Sequence, residues 1–488
     1  MKPPALLWLR SDLRIADNPA LQAALRHGGD VIPVFIWAPA EESPWPPGPA
    51  SNWWLHQSLK ALDARLRGRG ARRILRRGPG NDAFRALLKE TGATAVFWNR
   101  RYEPVVTARD AAVQDLLRSD SIKAESFNGA LLHEPWTIRN QSGRPFQVFT
   151  PFWKNCLTQS DPDEQLPSPE KIPAPAKWPK SLALAELALE PKITWTGGLC
   201  AAWQPGEAGA AENLRNFLAH AFPDYSERRD RPALAGTSRL SPHLHFGEIS
   251  PRQVWHGLCA RAEKRGWAAA KWRDSQFLKE LGWREFAHHL LHHFPRTPAE
   301  PLRPEFRNFP WRDDPAALQA WQQGRTGFPI VDAGLRELWA TGWMHNRVRM
   351  IVASFLVKDL RLPWQEGARW FWDTLVDAGL ANNTLGWQWS AGCGADAAPY
   401  FRIFNPATQS GKFDPDGDYI RRWCPELAKL PAKWLPEPHL APPEILRAAG
   451  LELGRHYPRP IVQHAIARAA ALKAFAQIRP CTNGRGPA

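Results

Sequence analysis

Apolar runs and amphipathic stretches alternate along the first part of the chain. Leu6–Leu9 is short and unbroken, which predicts a strand buried on both faces. Asn18-Pro19 supplies a capping side chain and a proline suited to a first helical turn, and predicts a helix that stops at Gly28-Gly29. The run Val31–Trp37 predicts a second strand. The same patterning gives helix over 51–66, strand over 73–75, helix over 82–89, strand over 95–98, helix over 106–118 and strand over 122–126. Such alternation implies a parallel sheet with crossover helices. No G-x-G-x-x-G follows the first strand, so the ordinary dinucleotide fingerprint is absent.

Residues 159–190 change character. Pro162, Pro167, Pro169, Pro173, Pro175 and Pro179 stand among Asp, Glu, Lys and Ser, which predicts an extended, mostly solvated linker. Beyond residue 205 the strand-like pattern disappears and helical patterning runs to a last helix near His464–Ile478. Ser250-Pro251-Arg252-Gln253 reads as a capping box. The expected organisation is an α/β N-terminal domain with a Rossmann-like parallel sheet over 1–130, a partly Pro-rich linker over 131–204 and an all-α C-terminal domain over 205–488.

Composition narrows the classes. With 488 residues and no apolar run of membrane-spanning length, an integral membrane protein is excluded, and the first residues do not read as a secretory signal. Six cysteines lack any CxxC, which argues against a disulfide framework, a zinc ribbon or another metal site and favours a reducing cytoplasm. The net charge of +15 suits a polyanion such as nucleic acid, although a coding bias toward Arg would give the same sum. Trp is present 26 times against 5 Tyr, which raises redox and stacking roles beside ordinary packing.

Four segments carry candidate chemistry. In Thr237-Ser238-Arg239-Leu240-Ser241-Pro242, hydroxyls and an Arg precede a helix start, read with Ser241 as the cap; such a start binds phosphate or is simply capped. Glu280 and Trp283 follow Phe277 on one helical face, where a carboxylate beside an indole could grip a base, or be a surface acid beside a core ring. Asn346, Arg349 and Met350 share another helical face, half polar and half soft. In Asp377 to Trp389, Asn-Asn-Thr before Leu-Gly-Trp is read as a break in the helical pattern, with Trp387 and Trp389 facing opposite ways.

Together with Trp8-Leu-Arg-Ser-Asp-Leu-Arg14, Asp17-Asn-Pro19 and the run from Ala397 to Pro406, these segments resemble the photolyase/cryptochrome family across essentially the whole chain. The resemblance implies FAD in the helical domain, bound without a covalent link. It implies that Tyr225, Thr237, Ser238, Arg239, Leu240 and Ser241 hold its phosphates. Phe277, Glu280, Asn346, Arg349, Asp377 and Asn383 are implied as further cofactor contacts, Asn383 opposite the flavin nitrogen N5. Glu280, Trp283, Met350 and Trp389 are implied at the lesion pocket, and Trp387, Trp364 and Trp311 as an electron relay.

Three activities compete within the family. The enzymes that repair (6-4) photoproducts carry histidines where Asn346 and Met350 stand, and His345 lies off that face. Plant-type cryptochromes carry Asp at the place of Asn383; an amide cannot supply a proton of carboxylic strength, which favours the reduced, anionic flavin needed for repair. They also usually extend into a regulatory tail that this chain lacks. The expectation is light-driven repair of cyclobutane pyrimidine dimers, a deoxyribodipyrimidine photo-lyase acting on UV-damaged DNA as a monomer. The alternative is a blue-light sensor that signals through a protein partner. Two departures stand out. Gly379 replaces a common second acid, and Val105-Val106 replaces an Asn-Glu pair that binds a folate antenna, so an antenna of folate or deazaflavin type is unassigned. Asn52-Trp53-Trp54 offers a stacking alternative or a buried helix start.

Overall fold

The computed structural model describes residues 2–397 and 401–478. Residues 398–400 of the Ala397–Pro406 run, and Cys481, lie outside them. The first strands and helices follow the patterning: β1 Lys2–Leu9, α1 Pro19–His27, β2 Gly29–Trp37, α2 Pro49–Arg67, β3 Ile74–Arg77, α3 Gly80–Thr91, β4 Ala95–Asn99, α4 Pro104–Ser119 and β5 Lys123–Phe127. The Asn18 side chain accepts from the Leu21 N–H, and Gly28 closes α1 with a φ of 84°, a conformation that costs glycine little. All strand pairs are parallel, in the order β3-β2-β1-β4-β5. On one face Leu6, Trp8, Val34, Val96 and Trp98 pack with Phe84 of α3 and Leu117 of α4.

The chain reverses its winding where β4 returns beside β1. In open α/β sheets the crevice at such a switch point, past the carboxyl ends of the strands, is the usual ligand site. Here its own side chains tie it together. Asn99 Nδ2 donates to Asp12 at 2.6 Å and to Asn18 at 2.8 Å. Arg10 pairs with Asp110 and donates to the Asn99 carbonyl. Arg14 donates to the carbonyls of Asp17, Gly129 and Gly247.

The Pro-rich stretch is extended and largely exposed, as its composition predicts, yet it is not loose. Its backbone is tied to the α/β region: Asp17 N–H to the Leu166 carbonyl, Ile172 N–H to Arg69, Val31 N–H to Pro173 and Leu182 N–H to Leu75. Ile172 is fully buried. Before it, α5 Phe149–Thr158 is a regular helix in a segment read as linker.

Contacts group the chain into two compact units. One comprises Met1–Tyr225, Thr237–Pro295 and Val376–Ala381; the other comprises Ser226–Gly236, Arg296–Leu375 and Asn382–Ala488. Beyond residue 205 the described residues form helices and turns with one isolated bridge, Leu453 to Tyr457. The capping box at Ser250 is present, and the last helix spans His464–Ile478. No helix among the described residues is long and apolar enough to cross a membrane.

Candidate flavin and lesion site

In the first unit, the 237–242 segment differs from expectation by one place. Leu240 caps the short helix Ser241–His245, and Ser241 occupies its first turn beside Pro242. Ser-Pro favours a helix start, but the cap is set by backbone angles, and Leu240 takes them without a side-chain bond. The Leu240 N–H donates to Ser238 Oγ at 3.4 Å, and Arg239, at φ 51°, lays its guanidinium 4.1 Å from the Trp203 ring centre. Beneath the short helix, His243 joins Glu248 and meets Asn213 Nδ2 at 3.2 Å, and Trp54 Nε1 donates to Glu248 at 3.1 Å. Trp53 and Trp54 are buried, so the stacking alternative for Asn52-Trp53-Trp54 is overturned and the helix-start reading stands. Tyr225 packs edge-on against Phe277, 5.6 Å between ring centres. Asp377 is 9% exposed. Burial holds the nearby His245 down to about 4, so that ring is neutral near pH 7.

Helix Gln276–His293 starts at Ser275, whose hydroxyl accepts from the Leu278 N–H. Glu280 and Trp283 share its face as the spacing predicts. Gln276 Nε2 donates to Glu280 at 3.0 Å. The half-buried Trp283 stacks on Phe149 of α5, with ring centres 3.9 Å apart and planes within 9°. Next along the helix, Arg284 donates to the Ala130 carbonyl, and Glu285 accepts from the N–H groups of Leu132 and His133 at 2.9 and 3.2 Å. Phe149 and the Arg284–Glu285 clamp were not singled out from sequence. The signal for Phe149 was present in the helical spacing of Phe149 and Trp153.

Burial pushes the Glu285 carboxyl up to about 7, with Arg284 opposing. The folded value lies above that of an unfolded glutamate. Its stabilising contribution is therefore full below about pH 4.3, and is lost as pH rises through about 7. Melting temperatures measured from acid to slightly alkaline pH should show the wild type losing stability relative to Glu285→Gln across that window. Parallel curves for the two proteins would contradict the assignment.

In the second unit, His345 caps helix Asn346–Ser354. Its Nδ1 accepts from the Arg347 N–H at 3.2 Å, and the His345 backbone N–H donates to Glu337. Burial holds this imidazole down to about 4, so the neutral ring carries its proton on Nε2. Asn346, Arg349 and Met350 lie on one face, as predicted. Asn346 is exposed, Arg349 Nε donates to the Met344 carbonyl at 2.7 Å, and Met350 Sδ lies 3.7 Å from the Arg347 guanidinium. Asp230 holds that guanidinium through contacts of 2.8 and 3.2 Å.

Leu380–Ala391 is one continuous helix, which corrects the expected break at Asn382-Asn383-Thr384. Weak helix propensity there is overridden by packing, since Thr384, Trp387 and Gln388 are buried. Asn383 and Trp387, four apart, share the face that meets helix Trp364–Thr374. Asn383 Nδ2 donates to the Ala368 carbonyl at 3.0 Å. The Trp387 ring lies so close to Gly367 that a Cβ there would stand 2.0 Å from it. Trp387 is 2% exposed, its Nε1 has no hydrogen-bond partner, and Phe371 and Trp321 meet it at 5.0 and 6.2 Å. Trp364 is equally buried, whereas Trp311, 4.3 Å from Phe309, and Trp389 are half-buried.

The donor chemistry of these residues fits FAD. Hydroxyls at Tyr225, Thr237, Ser238 and Ser241 with Arg239 suit a diphosphate, and the Asn383 amide and Arg349 suit a flavin ring edge. A parallel α/β sheet followed by a helical part is the plan of a two-part, cofactor-binding class of protein. Comparison with known proteins agrees. Residues 5–175 match the family described as DNA photolyase, and residues 277–477 match the FAD binding domain of DNA photolyase. The chain belongs to the photolyase/cryptochrome family. It is 48% identical to a deoxyribodipyrimidine photo-lyase of Agrobacterium fabrum over 98% of this chain and 99% of that one. It is 43% identical to cryptochrome-1 of Arabidopsis thaliana over 97% of this chain and 70% of that one. Among solved structures, a bacterial class III photolyase from Agrobacterium tumefaciens superposes with a TM-score of 0.94 at 48% identity, covering 98% of both chains. An archaeal photolyase from Sulfolobus tokodaii, solved with two FAD molecules, gives 0.80 at 28% identity, covering 97% of this chain and 100% of that one.

Proposed function

We propose that the protein repairs cyclobutane pyrimidine dimers in DNA, driven by light. The observation that carries this reading is the 48% identity over nearly the whole chain to a deoxyribodipyrimidine photo-lyase. Bound FAD supplies the electron that splits the dimer. The protein's part is to hold, orient and exclude. Hydroxyls from Tyr225 and the 237–241 segment, with Arg239, hold the diphosphate, while Phe277, Asn346, Arg349, Asp377 and Asn383 line the rest of the cofactor. Gln276 orients the Glu280 carboxylate for a hydrogen bond to a base edge. Trp283 and Trp389 offer ring faces to the bases, and Met350 supplies a soft apolar contact in place of an imidazole acid. One N–H of Asn383 Nδ2 is held by the Ala368 carbonyl, which fixes the amide plane, and an amide supplies no proton of carboxylic strength. Trp387, Trp364 and Trp311 form the relay that loads electrons. The division at residues 130 and 205 marks the functional parts, and the protein works as a cytoplasmic monomer.

An antenna remains part of the proposal only in general form. At the switch point Asp12, Asn18, Asn99, Arg10 and Asp110 are paired with one another and single out no antenna type. Val106 is buried and Val105 has no polar group for a pterin.

The +15 charge grips phosphates without reading sequence, and the pocket supplies selectivity because a damaged pair is easier to flip. Titration in the dark should show preference for dimer-containing over undamaged duplex, with log K falling as log salt rises. Equal affinity for both duplexes at moderate salt would leave only the light-sensor reading, which the 43% identity to an Arabidopsis cryptochrome supports.

A further inference from the structure

Trp283 does not stand alone on its helix. Phe149 lies parallel to it at 3.9 Å, and Trp153 lies parallel to Phe149 at 6.5 Å with planes within 8°. Both supporting rings come from α5, outside the residues that the sequence connects with chemistry. They are 8% and 4% exposed, whereas Trp283 is half-buried. Gly282 makes the arrangement possible, since a Cβ there would stand 2.7 Å from the Trp153 ring. Phe286 meets Trp283 at 72° with centres 5.8 Å apart. One face of the indole is thus covered and an adjoining ring limits its tilt.

We propose that Phe149 is a positioning residue for lesion binding: it is the back plate that fixes the plane of Trp283 and leaves that ring one face with which to stack on a single flipped base. The proposal rests on the reading of Trp283 as a lesion contact. An indole free to rotate would lose entropy on stacking, and a ring already held parallel to a neighbour has lost it on folding. Offset parallel rings also attract beyond their buried area. Trp153 braces Phe149 in the same way from behind.

The test uses the FAD-loaded protein in the dark, with dimer-containing and undamaged duplex as probes. Phe149→Leu keeps apolar bulk and removes the ring. Its affinity for dimer DNA should fall about threefold to tenfold, with undamaged-DNA affinity and flavin absorption unchanged and the protein still folded at the assay temperature. Phe149→Tyr should restore affinity, because the ring returns. Trp283→Leu should lose at least as much, and the double variant should lose no more than Trp283→Leu alone. Should Phe149→Leu fold poorly, Phe149→Met makes the same comparison. Full dimer affinity in the Phe149 variants together with a loss in Trp283→Leu overturns the back-plate role and keeps the reading of Trp283. Full affinity in Trp283→Leu overturns both.

Discussion

Trp387→Phe should stop photoreduction of the oxidised flavin and leave repair by chemically prereduced protein nearly intact. The substitution is close to a pure change in redox chemistry. Phenyl fills most of the indole's space against Gly367, Phe371 and Trp321, so packing is largely kept. The ring that can be oxidised is removed. The wild-type Nε1 has no acceptor, so no protein hydrogen bond is broken either. In the proposed cycle the electron returns to the flavin, so the relay is needed only to load the first one. Photoreduction at the wild-type rate in the variant would show that Trp387 is not the first donor. Loss of prereduced repair as well would assign it to the repair step.

Asn383→Asp should lower repair turnover several-fold and change the flavin absorption that develops under light. The direction follows from Ala368. That carbonyl receives the Asn383 amide N–H, and an ionised carboxylate in its place would set oxygen against oxygen. Burial and this carbonyl together favour the protonated acid. The variant therefore puts an exchangeable proton of carboxylic strength, shared with the Ala368 carbonyl, near the place that the resemblance gives to N5. Unchanged spectra with unchanged turnover would remove Asn383 from the flavin.

Local chemistry made much of the α/β part legible. Buried parallel strands read as apolar runs, and the Asn18 and Ser250 caps are side-chain bonds to backbone only a few residues away. Long-range packing hid the rest. Nothing near Asn382-Asn383-Thr384 announces that helix Trp364–Thr374 will hold those residues in a helix. Nothing in the Pro-rich composition of 159–190 shows that its N–H and carbonyl groups find partners at Asp17, Val31, Arg69 and Leu75. The candidate site residues rest on the family pattern. The parts that hold them, Phe149 behind Trp283 and Ala368 behind Asn383, appear only when distant segments meet. The one-place error at Ser241 has a local origin: Ser-Pro specifies a helix start, and only backbone angles decide which residue caps it.

The central claim is repair, and it is tested by illuminating chemically reduced, FAD-loaded protein with dimer-containing DNA under blue light while intact dimers are counted, with a dark sample alongside. Dimers should disappear catalytically in the light, giving unmodified pyrimidines, and persist in the dark. Dimers that persist in the light, with reduced flavin present and the DNA bound, would contradict it.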